Sequence, residues 1–93
     1  TVKRPEVSIF CARPPEDEGF VHAVPEAVVE ITSPGYEDKD LVHGPPLYLR
    51  NGVKDVLVLD RRDGMVHWFA PEGKTTHPTP TDFELSCGCR VTV

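Results

Sequence analysis

The apolar positions of the chain fall into short blocks with a period of two, separated by turn-forming residues. In residues 6–12, EVSIFCA, Val7, Ile9 and Cys11 lie on one side and Ser8 and Phe10 on the other, a pattern that predicts a strand. Residues 26–32, EAVVEIT, are β-branched and almost continuously apolar, as in a strand buried on both faces. Residues 53–60, VKDVLVLD, carry the strongest strand pattern and predict a central strand. Met65 to Phe69 forms a further apolar block, and residues 82–86 and 89–93 alternate again, predicting a terminal hairpin or one bent strand.

The residues between these blocks set the connections. Pro14, Pro15 and Gly19 punctuate an acidic loop after the first block, and Ser33-Pro34-Gly35 ends the second. Tyr36 to Val42 is helix-compatible with Leu41 and Val42 as apolar anchors. Gly44-Pro45-Pro46 then predicts an interruption, with Pro46 able to open a short helix through Leu47, Tyr48 and Leu49 and Asn51-Gly52 to stop it. Arg61-Arg62-Asp63-Gly64 predicts a hairpin with Gly64 left-handed, and PEGKTTHPTPT reads as a solvated loop. The expected fold is α/β of the α+β type, with one mixed central β-sheet and few short helices, in a single domain over residues 1–93. Ten prolines and seven glycines in 93 residues agree with that shortage of helix.

Charge narrows the possible chemistry. Ten basic against fifteen acidic side chains leave a net charge of −5. Residues 1–46 hold four basic and nine acidic groups, whereas residues 47–93 hold six of each. This balance opposes autonomous high-affinity nucleic-acid binding, which needs a basic face, but suits carboxylates gathered around a divalent cation. No apolar run approaches the ~18 residues of a membrane-spanning helix, and no secretory signal pattern is present, so the expected location is cytoplasmic. Cys11, Cys87 and Cys89 are an odd number with no paired Cys-x-x-Cys spacing. Together with the scattered His22, His43, His67 and His77, they predict reduced, buried thiols rather than a zinc site. The start at Thr1 reads as a processed chain, a trimmed chain or a fragment.

Glu30 is the anomaly within the apolar blocks. An ionised carboxylate inside a buried strand costs several kcal/mol unless a cation, a metal or hydrogen-bond donors face it. Val28, Glu30 and Thr32 share one strand face. Glu6 opens the preceding strand and approaches Glu30 if the two strands are neighbours; two such carboxylates suit Mg²⁺ or Mn²⁺. An ion pair between Glu30 and an arginine or lysine is the structural alternative. Asp60 beside Arg61 and Arg62 reads as a hairpin cap, and Tyr48, Trp68 and Phe69 read as core. Lys54, Arg61 and Arg62 form a candidate phosphate-contact patch.

RPEVSIFC, VPEAVVEITSP, LYLRNGVKDVLVLD and the MVHWF hairpin, taken in order and spacing, resemble a restriction-endonuclease-like family of the PD-(D/E)XK nuclease superfamily. The resemblance spans nearly all of this chain and the C-terminal half of a usual family member. It implies a restriction-endonuclease-like core in which carboxylates hold Mg²⁺ or Mn²⁺ for hydrolysis of DNA phosphodiesters. By this resemblance Glu6 and Glu30 are metal ligands and catalytic residues. The family's basic residue falls near Gly44, so its lysine position is lost, and Lys39 is the candidate replacement. Glutamate stands after Pro5 and Pro25 where the family has aspartate. The alternative expectation is a non-catalytic nuclease-fold domain acting in protein association. The expected partners are DNA, held weakly, and a second copy or a companion half, with no membrane.

Overall fold

A computed structural model of the chain describes residues 6–11, 16–17, 20–21, 24–35 and 39–93. Much of the acidic loop, His22 and residues 36–38 lie outside the described residues. The order of elements is β1 (Val7–Ile9), β2 (Glu16–Asp17), β3 (Phe20–Val21), β4 (Ala27–Ile31), a π-helical turn (Lys39–His43), α1 (Gly44–Arg50), β5 (Asp55–Asp60), β6 (Met65–Ala70), β7 (Gly73–Pro78), β8 (Asp82–Glu84) and β9 (Arg90–Thr92). Five strands form one sheet in the order β1-β4-β5-β6-β7, while β2-β3 and β8-β9 are separate two-stranded ribbons. Only the β4–β5 pair in the large sheet is parallel. The mixed sheet with one short α-helix is the α+β architecture expected from the sequence.

The β-branched runs produce the centre of this sheet. In β4, Ala27 to Glu30 are all buried; in β5 only Leu59 is less than fully buried. Parallel strands need a crossover, and the π-turn and α1 provide it. Pro45 and Pro46 do not interrupt a helix here: they occupy the first turn of α1. Backbone N–H groups in that turn have no intrahelical acceptor, so proline's missing donor costs nothing there. The helix ends where Val53 N–H donates to Tyr48 O at 3.1 Å and Gly52 N–H donates to Leu49 O at 3.2 Å. Gly52 has φ +100°. This is a Schellman closure, and Val53 and Tyr48 bury together beside it.

Period-two alternation gives the sheet two different cores. One face buries Ala27, Val29, Leu57 and Val66 against Phe83 and Leu85 of the β8–β9 ribbon region. The other buries Val28, Val56 and Val58 against Tyr48 and Val53, with Leu41, Leu49 and Phe69 packed around them. The crossover therefore covers one face and the C-terminal ribbon the other.

Two further expectations are corrected. PEGKTTHPTPT is not simply a solvated loop, because Gly73–Pro78 pairs along β6 from Ala70↔Gly73 to Met65↔Pro78. Its alternation is hidden because its residues are exposed except His77. The cysteines are not all reduced thiols either: Cys11 and Cys87 form a disulfide across 76 positions of sequence, and Cys89 is free. The fold carries the ends of β1 and β9 to the same apolar edge, where Ile9, Cys87 and Cys89 pack on one core.

Candidate functional site

The sheet face that α1 packs on collects three of the four buried polar residues seen among the described residues. Glu30 near the end of β4, Thr32 just after it, and Asp60 at the end of β5 are buried, at 4%, 2% and 3% exposure. All three lie at the carboxyl ends of the two parallel strands, the end at which open α/β sheets place ligands. The pairings Glu30↔Val58 and Val58↔His67 put Glu30 and His67 in one cross-strand row, two strands apart. At the spacing of neighbouring strands, that separation is roughly 10 Å.

Glu30 is held from the crossover. Tyr48 Oη donates to Glu30 Oε1 at 2.6 Å, inside the core. This bond gives the buried carboxylate a donor that sequence reading did not supply. Tyr48 is core, as expected, but its hydroxyl is also the polar handle that orients Glu30.

The expected neighbour relation between the first two long strands holds. β1 pairs antiparallel with β4 through Val7↔Val29, Ser8↔Val28 and Ile9↔Ala27. One further step of that register sets Glu6 opposite Glu30, and opposite residues of a ladder project to the same face. Glu6 is exposed and stands just before β1, whereas Glu30 is buried. Lys39 is exposed at the first position of the π-turn. Gly44 and Pro45 are buried at the start of α1.

Asp60 caps the β5–β6 hairpin. Arg62 donates through Nε and Nη2 to its two carboxylate oxygens at 3.0 and 2.9 Å, and through its backbone N–H to Oδ1 at 3.0 Å. The bonds from the Arg62 side chain are the main cause holding the Asp60 carboxyl below its ordinary value. The Arg62 backbone bond and the charges of Arg62 and His67 act the same way, while burial opposes them. Beside it, His67 Nε2 lies 3.8 Å from Asp63 Oδ2, beyond hydrogen-bond range. Both His67 ring nitrogens are buried without a hydrogen-bond partner among the described residues. Asp60, Asp63 and His67 could together offer ligand atoms within 4.8 Å of one another.

The expected basic patch divides. Lys54 precedes β5 and Arg61 and Arg62 follow it, so six strand residues, roughly 20 Å, separate them. Lys54 Nζ is 4.0 Å from Glu26 Oε2, and Arg62 is committed to Asp60.

Asp55 is a buried polar residue that sequence reading missed. It is 1% exposed and accepts Trp68 Nε1–H at 2.9 Å, Ser86 N–H at 2.9 Å and Ser86 Oγ–H at 3.2 Å. These bonds tie the start of β5 to β6 and to the segment after β8. A shallow cleft of about 260 Å³ is lined by Trp68, Ala70, Gly73 and Thr75 with Glu72 and Lys74. Trp68 and Thr75 belong to the sheet face opposite Glu30, so this cleft is separate from the acidic end of the parallel pair.

Together these features define an α+β domain whose central parallel strands end in buried carboxylates. The sequence model of the Uma2 family, described as "Putative restriction endonuclease", matches residues 1–86, and the chain belongs to that family. No curated protein matches the chain. No helix among the described residues is long and apolar enough to cross a membrane.

Proposed function

We propose that this chain is a Mg²⁺- or Mn²⁺-dependent nuclease-like domain acting on DNA phosphodiesters, with Glu6 and Glu30 as metal ligands and Lys39 as the catalytic basic residue. The observation that carries the reading is Glu30 itself. A carboxylate is retained at a buried position near the end of a central β-strand, contacted by Tyr48, with Glu6 one step beyond the register of the adjoining strand. Membership in an endonuclease-like family supports the same assignment.

The donor set fits a hard divalent cation. Both proposed ligands offer only carboxylate oxygen, and one exposed partner leaves room for the waters that Mg²⁺ retains. When bound, the cation supplies Lewis acidity at the scissile phosphate and lowers the pKa of a nucleophilic water. Tyr48 holds Glu30 Oε1 in a fixed position. Glu6 reaches from the edge strand toward solvent and substrate, and the Lys39 ammonium offers a positive charge to phosphate from the start of the crossover. Strong binding is not part of this reading, because net charge −5 repels a polyanion and Arg62 is occupied. A cytoplasmic location and association with a second copy or companion half complete it.

One observation favours the alternative, a non-catalytic domain for protein association. At the family's basic position stands Gly44, buried and followed by prolines, so the helix presents no ammonium there. Incubating the chain with supercoiled plasmid and Mg²⁺ or Mn²⁺ separates the readings. The nuclease reading expects nicking that is lost in Glu30→Gln while circular dichroism remains native. Equal nicking by the variant, or none by the wild type, would favour association.

A further inference from the structure

We propose that Cys11, Cys87 and Cys89 form a three-thiolate site for one zinc-like d¹⁰ divalent ion whenever the Cys11–Cys87 bond is reduced. The site is independent of the nuclease reading and of the acidic end of the sheet. The sulfur atoms of the three cysteines lie within 4.8 Å of one another, although Cys11 is 76 positions from Cys87. Cys89 stands beside the bonded pair and supplies a third sulfur that the disulfide itself does not use.

The local backbone favours the cluster. Cys87-Gly88-Cys89 forms the turn between β8 and β9, with Leu85 N–H donating to Cys89 O at 2.8 Å and Gly88 N–H to Leu85 O at 2.8 Å. Gly88 has φ +95°, a conformation that a side chain would strain. This turn fixes two cysteines one residue apart while Cys11 arrives from the segment after β1. Cα atoms of Cys11 and Cys87 are 6.4 Å apart. In a tetrahedral site with Zn–S bonds of about 2.3 Å, neighbouring sulfurs stand roughly 3.8 Å apart. All three sulfurs lie within 4.8 Å of one another, so side-chain rotation after reduction can bring them to that spacing.

The surroundings select a soft ion. All three donors are sulfur, which favours zinc over magnesium or calcium. Cys87 and Cys89 pack on the apolar core, where a lone thiolate is costly and a metal-bound one has its charge offset. A dithiol reductant opens the bond by taking the disulfide's place: it becomes a cyclic disulfide, and Cys11 and Cys87 each gain one proton and one electron. Binding of M²⁺ then releases three thiol protons, and water completes the coordination. Reoxidation by a small-molecule disulfide, which takes the two electrons and leaves as two thiols, rejoins Cys11 to Cys87, withdraws two of three ligands and releases the ion. In a compartment that keeps thiols reduced, the metal-bound form is the one available.

Titration of the phosphine-reduced protein with Co²⁺ under argon tests this site. The expected result is thiolate-to-cobalt charge-transfer absorption with tetrahedral ligand-field bands, saturating at one ion per chain and abolished by one equivalent of Zn²⁺. Cys89→Ser, which keeps the Cys11–Cys87 pair, should weaken binding at least about tenfold, as should leaving the wild type unreduced. Cooperative unfolding of each variant establishes that it is folded. The proposal is overturned if the reduced wild type gives no thiolate–cobalt spectrum, if Cys89→Ser or unreduced protein gives the same one, or if saturation occurs at one ion per two chains.

Discussion

At the residue scale, two buried carboxylates on the same sheet face are stabilised by different means, and they respond differently to change. Glu30 accepts a hydrogen bond from the Tyr48 hydroxyl, one of its contacts in the core. Tyr48→Phe removes that donor while keeping the ring; the expected loss for one buried hydrogen bond to a carboxylate is about 1–3 kcal/mol in urea unfolding. An unchanged midpoint would show that the bond adds nothing to the native state. Asp60 depends on a cation, and the Arg62 bonds lower its pKa. A carboxyl depressed in the folded state stabilises the fold above its unfolded value of about 3.9 and loses that contribution as pH falls through the lower folded value. The stability gap between wild type and Asp60→Asn should therefore be level from neutral pH to about pH 5 and shrink below about pH 4. A gap that widened on acidification would refute this linkage. Because Arg62 is more than half exposed, water screens the pair and the gap should be modest.

At the scale of elements, the strands were legible wherever β-branched residues were dense. VVEI and DVLVLD announce β4 and β5 because burial on both faces requires continuous apolar character. β7 was not legible, since its polar residues form a strand only because β6 offers a ladder. Glu30 stood out as a carboxylate in an apolar run, but its Tyr48 partner is 18 residues away and arrives only through the crossover. Asp55 gave no signal at all. At the start of a strand it looks like a polar boundary residue, and its three donors come from β6 and from Ser86. It acts as a polar rivet between elements. Asp55→Ala should lower stability by about 2–4 kcal/mol, because the Trp68 indole and the Ser86 amide lose a shared buried acceptor. Trp68 is the only tryptophan, so its fluorescence during urea unfolding reports both the midpoint and any change in indole environment. A loss below about 0.5 kcal/mol would mean that these donors find other acceptors.

At the scale of the whole molecule, the sheet has two unequal edges. β7 presents six mostly exposed residues but carries Lys74 and ends at Pro78, both of which discourage further strand pairing. β1 is only three residues long, and Val7 on it is half exposed. If a second copy or companion half docks, the half-exposed apolar Val7 makes β1 the candidate edge among the described residues. Sedimentation across the micromolar range should then show a concentration-dependent dimer that Val7→Lys weakens; a monomer throughout would remove self-association from the proposed function.

The Cys11–Cys87 bond also changes what kind of object the chain is. In covalent terms the oxidised protein contains a closed ring, and every element from β2 to β8 belongs to it. A single backbone cut inside it, for instance among the exposed residues of the β5–β6 hairpin, opens the ring without dividing the molecule. The two parts of the large sheet remain one covalent entity, and their pairing remains intramolecular rather than dependent on concentration. Reduction turns the same cut into a separation of two polypeptides.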